Sequence, residues 1–373
     1  MWPEVPAALA SRAQVLDHRT VRLWLSLGST SLFLSCGLAC TDDASSTEAE
    51  TSQDGGTQGE SETQGESETH SEDTEGDTGG GDTGGNTVVD PACAALTVGL
   101  NTGFDVDGTV RSFYLDLPAA AVDGGAGSWP IVFSWHGQGG TAANFRNLFA
   151  GAVDGPDMSF ILVTPEDTDF PLTAPLVGDI TFDWDTFDVM PGGEGNIEVA
   201  LFDALLTCVD QRWGVDHDHI HSTGFSLGGI TSDMLSSVRG EQLASVATWS
   251  GGYWNNADNV GLVLSTVAHW PPFEVANPYP QMLIHGGPND EIVVVQNAFT
   301  MSFYDFALSD AEFLSGHGHP VVLCDHGSGH TAPSSVSPAS VLAFFAAHPL
   351  GVGPSPWLES PPGGLGVCDF GRL

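Results

Sequence analysis

From about residue 110 onward, short apolar runs alternate with glycine-rich polar breaks and divide the chain into strand-length and helix-length pieces. Arg111-Ser112-Phe113-Tyr114-Leu115-Asp116-Leu117 leads into Pro118 and predicts a strand. Pro130-Ile131-Val132-Phe133-Ser134-Trp135 and Phe160-Ile161-Leu162-Val163-Thr164-Pro165 are continuous apolar runs, the pattern of strands buried on both faces of a parallel sheet. Leu243-Ala244-Ser245-Val246-Ala247-Thr248-Trp249, Gln281-Met282-Leu283-Ile284-His285 and Val322-Leu323-Cys324 read the same way, as does the short run around Ile220. Between Asn196 and Trp213, Ile197, Val199, Ala200, Leu201, Ala204, Leu205 and Val209 recur near helical period, which predicts a helix. Further helices are predicted over 294–307 and 336–347. Alternating strands and helices across 91–350 imply one α/β domain with a mostly parallel sheet and helices on both faces; 351–373 reads as a C-terminal tail.

The first 90 residues follow a different pattern. Arg19-Thr20-Val21-Arg22 precedes an apolar, serine-containing run that ends in small residues and Cys40, the layout of a secretory signal over 1–40. The run is too short and too rich in serine for a membrane span. Two outcomes stay open: lipidation at Cys36 or Cys40, although neither segment carries the usual lipobox leucine, or cleavage near Ala39 to release a soluble protein. The protein is therefore expected outside the cytoplasm, secreted or held on the outer surface as a lipoprotein. Residues 41–90 repeat Ser-Glu-Thr, Gln-Gly-Glu and Asp-Thr-Gly-Gly, with 14 acidic residues and no basic one over 41–89. Such a segment buries too little apolar surface to offset its ordering entropy and reads as a disordered acidic linker.

Charge narrows the partners. The chain has eight arginines, no lysine and 48 acidic residues. A field of that sign repels nucleic acid and anionic membranes, leaving the possible lipid anchor as the only membrane attachment. Cys93, Cys208, Cys324 and Cys368 lie beyond the signal, an even count that predicts two disulfides in an exported domain. Three pairings are open, a Cys93–Cys368 clasp of the domain ends among them.

Candidate chemistry follows the strands. In open parallel sheets, sites form at the carboxyl ends of the strands. Trp135 is followed by His136-Gly137-Gln138-Gly139-Gly140, a loop whose N–H groups suit an oxyanion. Thr223 is followed by Gly224-Phe225-Ser226-Leu227-Gly228, the G-x-S-x-G pattern of a nucleophile elbow, which is weak alone in a chain with 47 glycines. Ile284 and His285 precede Gly286-Gly287-Pro288-Asn289-Asp290, and Cys324 precedes Asp325-His326-Gly327-Ser328-Gly329-His330. Oxyanion loop, Ser, Asp, His is the chain order of α/β-hydrolases. Glu291 and Asp310 compete with Asp290, and His317, His319 and His326 compete with His330. Asp216-His217-Asp218-His219-Ile220-His221 has metal-ligand residue types, but strand alternation separates its side chains onto two faces. Asp105-Val106-Asp107-Gly108 is a hairpin turn, since it lacks the rest of a calcium loop. No metal or cofactor is expected.

Asp107 to Tyr114, Trp135 to Phe145, Val215-Asp216 leading to Gly224-Phe225-Ser226-Leu227-Gly228-Gly229, His285 to Asp290, and Gly329-His330-Thr331 together resemble a bacterial esterase family. It includes polyhydroxybutyrate depolymerases and feruloyl or acetyl-xylan esterases, and the likeness covers about 92–348. The resemblance implies an α/β-hydrolase fold with Ser226 as nucleophile, His330 as base and Asp290 as its carboxylate partner. The backbone N–H groups of Leu227 and Gln138 would hold the oxyanion. Members often carry Trp shortly after the catalytic His, whereas Thr331-Ala332-Pro333-Ser334 follows here. Phe182, Trp184, Phe187, Tyr253 and Trp254 are candidate pocket aromatics; Trp249 reads as core. The function implied is a serine esterase acting through an acyl-enzyme on carboxylic esters, polymeric ones included. The alternatives are a non-catalytic surface protein on a hydrolase scaffold and a serine peptidase.

Overall fold

Among the residues that the computed structural model describes (90–124, 127–174, 178–186, 191–252, 277–295, 299–331 and 335–372), nine strands build one sheet. They are β1 (Gly99–Val106), β2 (Thr109–Asp116), β3 (Trp129–Trp135), β4 (Ile161–Pro165), β5 (Val215–Phe225), β6 (Ser245–Trp249), β7 (Gln281–His285), β8 (Val321–Asp325) and β9 (Cys368–Arg372). Their spatial order is β1-β2-β4-β3-β5-β6-β7-β8-β9. The six strands from β4 to β8 in that order run parallel, and β1, β2 and β9 are antiparallel additions at the edges. The signal-like segment, the acidic linker, Phe187, Tyr253, Trp254 and residues 332–334 lie outside the described residues.

The four longer helices are α1 (Ile197–Trp213), α2 (Leu227–Arg239), α3 (Phe303–Gly316) and α4 (Pro338–Ala347). Asn196 starts α1 by accepting from the N–H groups of Glu198 and Val199 at 3.0 and 3.1 Å, satisfying two donors that have no intrahelical partner. Strand alternation then sends side chains to two cores. Ile131, Phe133 and Trp135 pack with Phe202 and Leu205 of α1, Ile230 and Met234 of α2, and Leu314 of α3. Val132, Leu162, Met282, Ile284 and Val322 pack on the opposite side with Phe149, Phe344, Phe345 and Trp357. Each fully buried large apolar side chain contributes about 1.5–3 kcal/mol by leaving water. This is the α/β-hydrolase arrangement: a mostly parallel sheet with helices on both faces.

Two expectations change. The region 294–307 is not one helix. Glu291–Val295 and Phe299–Ser302 pair as antiparallel strands, and the helix starts only at Phe303, capped by Ser302, whose hydroxyl accepts the Asp305 N–H. The β-branched run Ile292-Val293-Val294-Val295 favours the strand. Nor is 351–373 only a tail: β9 lies in it and adds to β8 as the last strand of the sheet. The disulfides are Cys93–Cys208 and Cys324–Cys368, so the terminal clasp does not form. The first ties the short helix Pro91–Ala94 to α1, and the second joins residues that face each other across β8 and β9.

A fully buried ion pair joins β2 to α1. Arg111 Nη2 donates to Glu198 Oε2 at 2.8 Å, and both side chains are excluded from solvent. Burial pushes the Glu198 carboxyl above its ordinary value, and Arg111 opposes that push. Arg111→Met should therefore cost about 3–5 kcal/mol, because it strands a buried charge. In urea denaturation the deficit should shrink as pH falls, since a protonated Glu198 needs no countercharge. Adding Glu198→Met should recover much of the loss. A single variant as stable as the wild type would contradict this account.

Candidate active site

Ser226 sits between β5 and α2, with φ 55° and ψ −123°. Such a backbone is rare outside glycine and is tolerated where the surroundings over-determine it. Here the Ser226 N–H donates to the Trp249 carbonyl at 2.9 Å, and its carbonyl accepts the Ile230 N–H at 3.0 Å. The flanking glycines are required by space. A Cβ on Gly224 would lie 2.1 Å from the Gly228 carbonyl oxygen, and one on Gly228 would lie 2.1 Å from that of Trp135. The strand-to-helix turn thus closes only without side chains at these positions, and it lifts the Ser226 hydroxyl beyond the end of the sheet.

The hydroxyl meets His330. Nε2 of His330 lies 2.9 Å from Ser226 Oγ, and Nδ1 lies 2.7 Å from Asp290 Oδ1. The two loops carrying Asp290 and His330 are fastened together: the Gly329 N–H donates to the Gly286 carbonyl at 2.8 Å, and a Cβ on Gly286 would sit 2.0 Å from the Gly329 oxygen. Phe303 stacks on the His330 imidazole at 4.5 Å between centroids, and Phe225 lies 5.0 Å from it.

Asp290 is fully buried. Its Oδ2 accepts from the Ser250 hydroxyl at 2.8 Å and from the Gly286 N–H at 2.7 Å. Burial alone would raise its carboxyl, but the hydrogen bonds from His330, Gly286 and Ser250 outweigh it and hold the group below the usual carboxylate range. An ionised Asp290 keeps the proton of a neutral His330 on Nδ1, leaving the Nε2 lone pair for the Ser226 proton.

The competing residues stand elsewhere. Glu291 is exposed, and Asp310 lies buried on α3; burial raises the Asp233 carboxyl, and the nearby Asp310 raises it further. His319 Nδ1 lies 3.0 Å from the Tyr279 carbonyl oxygen, and burial lowers its pKa to about 4. His317 lies beside the Phe313 carbonyl, and His326 Nδ1 accepts the Ser328 N–H. In the acidic-histidine run, His219 meets Asp216, His217 meets Asp210, and the buried His221 meets Ser245. Among the described residues, His136, Glu166 and Asp167 bring donor atoms within 4.8 Å of one another, a set that a divalent cation accepts.

Leu227 is the first residue of α2, so its N–H belongs to the first-turn donors that lack an intrahelical acceptor. The loop after β3 lies over the elbow: a Cβ on Gly137 would be 3.1 Å from Ser226 Cβ. Gln138 follows Gly137 there. Trp184 is not a pocket aromatic. It is fully buried, donates Nε1–H to the His136 carbonyl at 2.8 Å, and packs edge-on against Trp135. Trp249 is core, with its Nε1–H on the Val336 carbonyl at 3.0 Å. Two site residues are absent from the sequence reading: Ser250, which braces Asp290, and Asp183, which grips the loop after β3. Ser250 directly follows β6, so the strand-end rule that picked out the other loops applied to it as well. Asp183 lies in 178–186 and carries no local signal.

No protein-family profile matches the chain. It is 27% identical over 169 residues to the probable feruloyl esterase C of Aspergillus terreus, a stretch that covers 43% of this chain and 54% of the relative. The chain thus spans about half the length of the curated relative it matches. Solved structures share the fold at low identity. Native sOPH has a TM-score of 0.55 with 17% identity, covering 69% of this chain and 89% of that chain. Native pOPH has a TM-score of 0.53 with 16% identity, covering 69% and 88%.

Proposed function

We propose that this α/β-hydrolase is a serine carboxylic-ester hydrolase. The carrying observation is the continuous hydrogen-bonded path from Ser226 through His330 to Asp290 at an elbow beside the loop after β3. Ser226 Oγ attacks the ester carbonyl carbon while its proton passes to His330 Nε2. The tetrahedral oxyanion takes hydrogen bonds from the N–H groups of Leu227 and Gln138, each worth about 3–4 kcal/mol to the transition state. His330 returns the proton to the departing alkoxide, so an alcohol leaves and an acyl-serine remains. Water repeats the sequence and releases the acid. Asp290 holds the imidazole tautomer and stabilises the transient imidazolium.

The substrates are carboxylic esters, with feruloyl or acetyl groups on polysaccharides as the first class and polyhydroxyalkanoate-type polyesters as the second. The likeness to a probable feruloyl esterase supports the first. The protein acts outside the cytoplasm, a reading supported by its two disulfides. A fluorophosphonate probe tests the reaction class: one equivalent should add to the full chain, and peptide mapping should place it on Ser226. An unlabelled Ser226 in folded protein would favour the non-catalytic scaffold instead.

A further inference from the structure

We infer that Asp183 is a positioning residue for ester cleavage, holding the Gly137–Gly140 turn in the one conformation that presents the Gln138 N–H as an oxyanion donor. This rests on the serine-esterase reading and extends it to a residue outside the Ser226, His330 and Asp290 set.

The turn alone has little to fix it. It reads Gly137-Gln138-Gly139-Gly140, closed by the Gly140 N–H on the Gly137 carbonyl at 2.8 Å, with Gly139 at φ 71°. That conformation at the third residue is a type II feature, and in a glycine-rich turn the central peptide can flip to the type I form. Asp183 blocks the flip. Its Oδ2 accepts the Gly139 N–H at 2.5 Å, so the central peptide points its donor at a carboxylate. Flipping it would aim the Gln138 carbonyl at the same negative charge.

A second grip acts through the Gln138 side chain. Gln138 Nε2 donates to Asp183 Oδ1 at 2.8 Å, and the Asp183 N–H donates back to Gln138 Oε1 at 3.1 Å. The neighbouring Trp184 fixes the entry to the turn by donating to the His136 carbonyl. The peptide carrying the Gln138 N–H is therefore held from both sides, and its own carbonyl, that of Gly137, is engaged by Gly140. Asp183 is buried, with 6% of its surface exposed, so these bonds form away from competing water. Burial also raises its carboxyl, the Gly139 N–H pulls it back down, Asp167 raises it, the His136 ring 3.8 Å away lowers it, and Asp169 raises it again.

The test uses the full chain with Asp183→Ala and Asp183→Asn, assayed on p-nitrophenyl acetate and on its thiono analogue. A thiocarbonyl sulfur is a weak hydrogen-bond acceptor and gains little from an oxyanion donor. Losing one such donor outright lowers kcat about 10²–10³-fold. A loosened donor should lose less, so kcat of Asp183→Ala on the oxo ester should fall about 10- to 100-fold with KM little changed. The oxo-to-thiono ratio of kcat/KM should fall by a similar factor. Asp183→Asn keeps one carbonyl oxygen for the Gly139 N–H and should recover part of the loss. Unchanged kcat in both variants would overturn the assignment, as would equal losses on the two esters, which mark a general structural defect. Ser226→Ala is run beside them: if it turns over the ester as fast as wild type, the esterase reading itself fails and this inference fails with it. Ser226-dependent turnover indifferent to Asp183 overturns the inference alone.

Discussion

Ser226→Ala should lower kcat for p-nitrophenyl acetate and methyl ferulate by about 10⁶-fold while leaving the fold intact. The size follows from the unit that Ser226 forms with His330 and Asp290. With the hydroxyl gone, the 2.9 Å contact to Nε2 disappears, and no other oxygen in the path can carry the acyl group. Remaining turnover would come from water attacking an ester held by the oxyanion donors. Alanine keeps the Cβ, the backbone bonds to Trp249 and Ile230, and the steric demands met by Gly224 and Gly228. Thermal unfolding should therefore scarcely move. Ester turnover equal to wild type would end the serine-esterase reading, whatever the probe labelling showed.

Asp290→Asn should cost about 10⁴-fold in kcat, with KM nearly unchanged. The Asn amide can offer an N–H where the carboxylate accepted one. His330 Nδ1 then becomes the acceptor, the proton moves to Nε2, and the lone pair needed for the Ser226 proton is lost. Oδ2 of Asp290 also receives the Ser250 hydroxyl and the Gly286 N–H, so the amide oxygen still has partners and the loop keeps its shape. The wild-type carboxyl has its pKa lowered by folding. Its contribution to stability is thus present above the ordinary carboxyl range and is lost as pH falls through the lowered value. In acid titrations followed by circular dichroism, the Asn variant should lack that component. A variant retaining wild-type kcat would remove Asp290 from the catalytic role.

Much of the central sheet was legible because its strands are buried on both faces. Runs such as Ile131-Val132-Phe133 and Gln281-Met282-Leu283-Ile284-His285 have few other ways to hide so much apolar surface. Helix α1 was legible for a similar reason, an apolar stripe bounded by Asn196 and Gly214. The region 294–307 misled because apolar valines and phenylalanines satisfy a helical period and a strand equally well. β9 was missed because Cys368-Asp369-Phe370-Gly371-Arg372 has little apolar character, and its place depends on β8 offering an open edge and on the Cys324 bridge.

Chain order and residue type by themselves determined the doubly covered parallel sheet, the elbow at Ser226 and the short set of acids and histidines able to serve it. These depend on local sterics and on apolar periodicity, which are written in neighbouring residues. The resemblance had already named Asp290 and His330; the tertiary structure adds the hydrogen bond between them and holds Asp310 and His319 on other partners. It also chose the disulfide partners, set Ser250 behind Asp290, and brought Asp183 onto a turn 44 residues away in sequence. Such contacts join loops from different strands, and their partners become neighbours only once the sheet has stacked its strand ends side by side.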